Sequence, residues 1–186
     1  DGIECDQGFF LTHGWDKKIP TRAIENLGTD FLFPEIKYKF HACCHGLHSF
    51  LEALEELKQE NNFNPESIEE IAIETNPSWL KVCNIQEPKT GLESKFSYKL
   101  TAAMSIYGKD TADLGTYNDD ICFDDRINNI RDKVKVIPND QLSNTQSLIS
   151  IKDGSRDIKN KHDLSDKIDQ NILETKIVNK SASLLS

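Results

Sequence analysis

Leu47, Phe50, Leu51, Leu54 and Leu57 stand at 0, +3, +4, +7 and +10 along the chain, which is the spacing of a single apolar stripe on an α-helix. Glu52, Glu55, Glu56, Lys58 and Glu60 take its other faces, and Asn61-Asn62 with Asn64-Pro65 ends it. Over residues 68–75 the period drops to two. Ile71 and Ile73 alternate there with Glu70 and Glu74, predicting a strand broken by Asn76-Pro77. Leu92, Phe96, Leu100, Ala103, Met104 and Tyr107 return to helical spacing and predict a second helix closed by Gly108. Residues 126–131 predict a short helix leading into the strand Val134-Lys135-Val136-Ile137, which Pro138 stops. Residues 147–151 predict another strand, followed by an Asp153-Gly154 hairpin turn. Leu164, Ile168, Ile172 and Leu173 predict a final helix. Ahead of all these, residues 1–30 read as short helical pieces, one opened by Ile19-Pro20-Thr21 and closed by Gly28. Residues 31–40, aromatic-rich and holding Pro34, read as an extended edge segment. Helices and strands mingle without regular βαβ alternation, so the predicted class is α+β.

Composition changes this picture at the C-terminal end. All nine Phe, both Trp and all four Tyr lie at or before Phe123, and the last 63 of the 186 residues hold no aromatic ring. Rings supply much of a core's buried area, so the tail is expected to pack on something else. Charge is uneven too: 31 acids against 22 bases give −9, yet from Asn139 onward seven acids balance seven bases. With the abrupt start at Asp1-Gly2-Ile3, this reads as a piece of a longer protein. The acidic balance argues against a general nucleic-acid binder. No apolar run approaches the ~20 residues of a bilayer span, and no signal segment opens the chain, so a soluble protein is expected. Five cysteines, with Cys43 and Cys44 adjacent, make a poor disulfide framework. Reduced thiols in a cytoplasmic protein is the expectation.

The densest chemistry is Lys39-Phe40-His41-Ala42-Cys43-Cys44-His45-Gly46-Leu47-His48, where the extended segment meets the first helix. Three readings compete. A metal site is suggested by three His and two Cys within eight residues, but the spacing matches no paired ligand set. A thiolate at the helix start is a second, though nothing local pairs a Cys with a His. The third is a carboxylate-binding and proton-transfer site using Lys39 with one or more His. Against all three stands the plain alternative that Cys43, Cys44 and His48 are buried helix residues.

This segment resembles the lysine, aromatic, paired-cysteine and histidine motif of the MmgE/PrpD family, which includes 2-methylcitrate dehydratase, cis-aconitate decarboxylase and iminodisuccinate epimerase. Residues 91–103, with Glu93-Ser94-Lys95-Phe96-Ser97, are similar to its Glu-x-Lys-Phe-Ser helix. Ile130-Arg131 through Val134-Lys135-Val136 resembles its late strand, and Asp153-Gly154 and Lys161-His162-Asp163 fit its C-terminal part. The resemblance implies an α+β lid domain over residues 1–154 and a helical tail over 155–186. The tail would pack on an N-terminal helical domain that is missing here. It also implies a cleft site on a small di- or tricarboxylate, with Lys39 and His48 as catalytic residues and Lys39 and His41 binding substrate. No cofactor and no metal are expected. The intact parent would be a hydro-lyase of the 2-methylcitrate dehydratase type, in propionate metabolism, and a homo-oligomer such as a dimer. Decarboxylase, epimerase and a non-catalytic binding module stay open, and the fragment alone is expected to be inactive. Two departures leave the polycarboxylate open. Phe40-His41-Ala42 replaces the Pro-Tyr-Pro common in family dehydratases, and a tyrosine of the second block aligns with Leu100. His45 is expected on the helix surface, and Lys95 and Ser97 as packing or capping residues.

Overall fold

A computed structural model of the chain describes Thr12, residues 25–31, Phe33, residues 36–154 and residues 156–185. The helical pieces predicted within residues 1–30 lie largely outside the described residues. Two compact units divide at Lys37 and Tyr38. In the first, the Asn26 carbonyl accepts from the amides of Thr29 and Asp30 in a tight turn, with Gly28 at φ +86°.

The sheet and the helices named below belong to the second unit. Its helices are α1 (His48–Glu60), α2 (Pro77–Leu80), α3 (Gly91–Ser94), α4 (Tyr98–Ile106), α5 (Asp125–Arg131) and α6 (Gln170–Leu185). Its strands are β1 (Ile68–Thr75), β2 (Val134–Pro138), β3 (Gln146–Asp153) and β4 (Arg156–Asp163), ordered β2-β1-β3-β4 in one sheet. The class is α+β, as the mixed periodicities require. β1 and β2 run parallel in the register Ile71↔Val134, and α2–α5 make the crossover between them. The other two pairings are antiparallel. The β3–β4 hairpin turns at Gly154, whose φ of +58° suits a residue without a Cβ.

The apolar stripe of α1 lies across β3 and β4. Phe50, Leu51 and Leu54 join Ile71, Ile73, Ile149, Ile151, Tyr98, Leu100, Met104, Ile127 and Ile130 in a single core. The predicted second helix is two. Ser97 breaks the pattern by capping α4, its side chain accepting from the Leu100 amide, the local competition with the backbone that serine offers. Leu92, on the far side of that break, is 70 % exposed. The final helix starts at Gln170 rather than near Leu164, because residues 156–163 pair with β3 and the Leu164 amide bonds to the Thr145 carbonyl. The stretch read as a helical tail thus begins with a strand. α6 itself buries no residue fully. Among the described residues no helix is long and apolar enough to cross a membrane.

Candidate functional site

Residues 36–40 form neither helix nor strand. The chain then bends into a short 3-10 turn, His45–Leu47, that runs straight into α1. Tyr98 holds this turn by donating its hydroxyl to the Gly46 carbonyl at 2.7 Å. Lys39 is exposed at the end of the extended segment, whereas His41 and His48 are 3 % and 1 % exposed. The turn brings the imidazoles together, His41 edge-on to His48 and His45 tilted against it. The His41 and His48 ring centroids are 5.1 Å apart, and those of His45 and His48 5.3 Å. His45 is half-buried, with the Trp79 ring 6.3 Å away, so it is not the surface residue expected.

The two buried histidines differ in what they have free. His48 donates Nδ1–H to the Cys44 carbonyl at 3.1 Å. That fixes the tautomer and leaves Nε2 as a bare acceptor, buried and without a hydrogen-bond partner among the described residues. Burial, then the neighbouring His41, holds its proton affinity down to about 3, so the ring is neutral. His41 has nothing free. Its Nε2–H donates to Glu52 Oε1 at 3.2 Å, and its Nδ1 lies 2.7 Å from Thr111 Oγ1. The residue expected to bind substrate is therefore committed on both ring nitrogens.

Glu52, 6 % exposed, also takes the ammonium of Lys176 from α6. Burial alone would raise its carboxyl, but the hydrogen bonds from His41 and Lys176 outweigh it and hold the group at about 2. Lys176 lies 3.3 Å from Glu55 as well, and its Nζ is 5.3 Å from the Phe40 ring centre. His41, Glu52 and Glu55 bring ligand-type atoms within 4.8 Å of one another. The Lys176 ammonium already serves these carboxylates as their cation.

Around Cys43 the thiolate reading fails. Burial pushes that thiol up to about 12, so it stays protonated at neutral pH. Among the described residues Cys43, Cys44, Cys83 and Cys122 are free thiols. Tyr117 donates its hydroxyl to the Thr111 carbonyl at 3.0 Å, and the same carbonyl accepts the Ala42 amide at 2.8 Å. Lys95 sits with Nζ 5.6 Å from the Tyr117 ring centre, and Lys180 donates to the Ala112 carbonyl at 2.6 Å. Ser97 is the cap anticipated for it, and Leu100 is fully buried in the core.

Sequence reasoning missed Glu52, Thr111, Lys176 and Lys180. A signal existed for Glu52 alone: it stands four residues after His48 and so shares that face of α1. The model of the MmgE/PrpD C-terminal domain matches residues 41–185, a span that takes in His41 and His48 and starts two residues after Lys39. No match is found among curated proteins.

Proposed function

Because the chain belongs to the MmgE/PrpD family by its C-terminal domain, we propose that it forms one wall of a lyase active site for a small polycarboxylate. The observation that carries this reading is His48 Nε2, a buried acceptor with no partner among the described residues, next to a motif whose exposed lysine pairs with no carboxylate among them. A buried polar atom left unmatched costs stability unless something completes it. A substrate proton arriving at that nitrogen would do so.

In this reading Lys39 neutralises a substrate carboxylate and stabilises the charge that grows when the adjacent C–H is deprotonated. His48 Nε2 receives that proton. The neighbouring C–O bond then breaks, and hydroxide leaves as water after taking a proton from an acid on the opposite wall. The resting imidazole is a weak base chiefly because it is buried, with His41, His45 and, least of all, Lys39 lowering it further. A carboxylate bound to Lys39 cancels the last of these, and a negative charge beside the imidazole favours its protonated form. His41 does not touch substrate here; it seats Glu52 and Thr111 against the imidazole stack. The opposite wall is a helical domain beyond this chain, contributing an Asp and a His, onto which α6 packs; the intact protein is a cytoplasmic homo-oligomer. The reaction is a 2-methylcitrate dehydratase-like loss of water, and the 186-residue chain alone is inactive. Decarboxylation and epimerisation share the first proton transfer.

The test is the intact parent enzyme assayed with 2-methylcitrate and related polycarboxylates. Lys39→Ala should lower kcat/KM about ten- to hundredfold with the melting temperature nearly unchanged, the effect of one lost charge-assisted contact. Normal kinetics with a lowered melting temperature would make Lys39 a scaffold residue. Turnover by the 186-residue chain alone would end the two-wall account.

A further inference from the structure

α6 is fastened to its unit by polar contacts more than by apolar burial. Leu173 and Ile177 share a face with Lys176 and Lys180 and are only half-buried, and no residue of the helix is fully buried. Its anchors are Lys176, bonded to Glu52 and 3.3 Å from Glu55, and Lys180 and Ser183, which donate to the Ala112 carbonyl at 2.6 and 3.3 Å. A helix with so little buried apolar surface belongs to the parts of a fold that open locally at low cost.

Both anchor points bear on one ring. Glu52 takes the Nε2–H of His41, and Ala112 follows Thr111, whose hydroxyl lies 2.7 Å from His41 Nδ1. A hydroxyl donates to a bare ring nitrogen or accepts from a protonated one. His41 can therefore hold one proton or two with both hydrogen bonds intact. The charges around it decide which. With α6 seated, the Lys176 ammonium cancels the buried Glu52 carboxylate. With α6 lifted, that carboxylate is left against His41, and a second proton on the ring is the nearest countercharge. Glu55 is partly exposed and shares its charge with water. On the other side His48 is neutral, with His45 and Lys39 beyond it. Cys43 and Tyr117 are raised by burial and stay uncharged, and Asp110 and Asp113 of the Thr111 loop act on Lys180.

We propose that α6 is a strap whose seating sets the charge of His41. Closed, it spares the ring a second proton. Open, it leaves an imidazolium beside His48, the two ring centres 5.1 Å apart. The consequence for the site rests on the reading of His48 as the base: a positive charge beside that imidazole disfavours its taking a proton, so the base is at full strength only with the strap closed.

Imidazole nitrogen spectra of the 186-residue chain, titrated from about pH 8 to about pH 5, read the second proton on His41, whose signals are those lost in His41→Gln. Lys176→Met should raise the midpoint of that uptake by about one pH unit, the effect of one uncancelled neighbouring charge. Lys176→Arg, which keeps the cation, should leave it unmoved. Lys180→Met loosens α6 while leaving Glu52 and Lys176 in place, and should raise the midpoint by less. Glu52→Gln added to Lys176→Met should bring it back, because no buried charge then calls for a proton. An unmoved midpoint in Lys180→Met, with the fold intact by its amide spectrum, overturns the strap whether or not Lys176→Met folds. An unmoved midpoint in a folded Lys176→Met overturns the charge link as well. Either failure leaves the reading of Lys39 and His48 to the kinetics of the parent enzyme, and failure there leaves the strap standing.

Discussion

The ammonium of Lys176 lies on the carboxylate of Glu52, 124 residues earlier in the chain, and the other oxygen of that carboxylate takes His41. One buried acid thus joins the last helix to the histidine motif. Removing the cation strands a carboxylate with only an imidazole beside it. Lys176→Met should cost about 3 kcal/mol, the lower end for a broken buried pair because Lys176 is partly exposed. Replacing both partners, as Lys176→Met with Glu52→Leu, should recover much of that loss. Urea unfolding of the two single variants and the double one measures it, and strict additivity of the two losses would count against the coupling.

Acid should destabilise the fold in two stages. His48 is held at about 3 against an ordinary 6.5, by burial first and by His41 next. Below pH 6.5 the unfolded chain binds a proton that the folded chain refuses. Stability therefore falls as pH drops from 6.5 toward 3, by about 1.4 kcal/mol per pH unit. Glu52 has its carboxyl held at about 2 against 4.5, its hydrogen bonds to His41 and Lys176 outweighing burial. Its stabilisation is complete above pH 4.5 and is lost as pH falls through 2. The steepest loss then lies between pH 4.5 and 3, where both act. Urea midpoints from pH 7 to 3 show this, and His48→Gln should flatten the limb between 6.5 and 4.5. An unaltered limb in that variant would remove His48 as its source.

Gly46 sits where α1 begins, under the Trp79 ring. A Cβ there would meet Trp79 ring carbons at 2.5 and 2.6 Å and the Cys83 sulfur at 2.9 Å. Gly46→Ala should cost about 1–3 kcal/mol by overpacking. Because His45 and His48 flank this turn, the variant should also shift their ring resonances. Unchanged stability together with unchanged histidine spectra would show that Trp79 yields freely.

Cys43 and Cys83 are both raised to about 12, chiefly by burial. Neither should react with iodoacetamide at pH 8 while the chain is folded, and both should label at ordinary rates in denaturant. Mass spectrometry of the labelled peptides decides it. Rapid labelling of Cys43 in the folded chain would reopen the thiolate reading of the motif.

The elements legible in the sequence are those whose cause is local. The leucine stripe of α1, the Ile71–Ile73 alternation of β1 and the Asp153-Gly154 turn each depend on residues a few positions apart, and each stands where its period puts it. The closeness of His41, His45 and His48 follows in the same way, from one turn of backbone entering one helix. Hydrogen bonding overruled the pattern elsewhere. Ser97 split a continuous helical stripe by accepting the Leu100 amide on its hydroxyl, and pairing with β3 drew residues 156–163 into a strand that their composition hides. Its place four residues after His48 sets Glu52 apart from Glu55, Glu56 and Glu60, but nothing in the sequence says that it alone of the four is buried. What separates it is what closes over it: His41, itself bonded to Thr111 from 70 residues beyond, and Lys176, from 124 residues beyond Glu52. Local periodicity determines which residues share an element. The burial of a polar side chain, and so its charge and chemistry, is decided only when distant segments close over it and water is excluded.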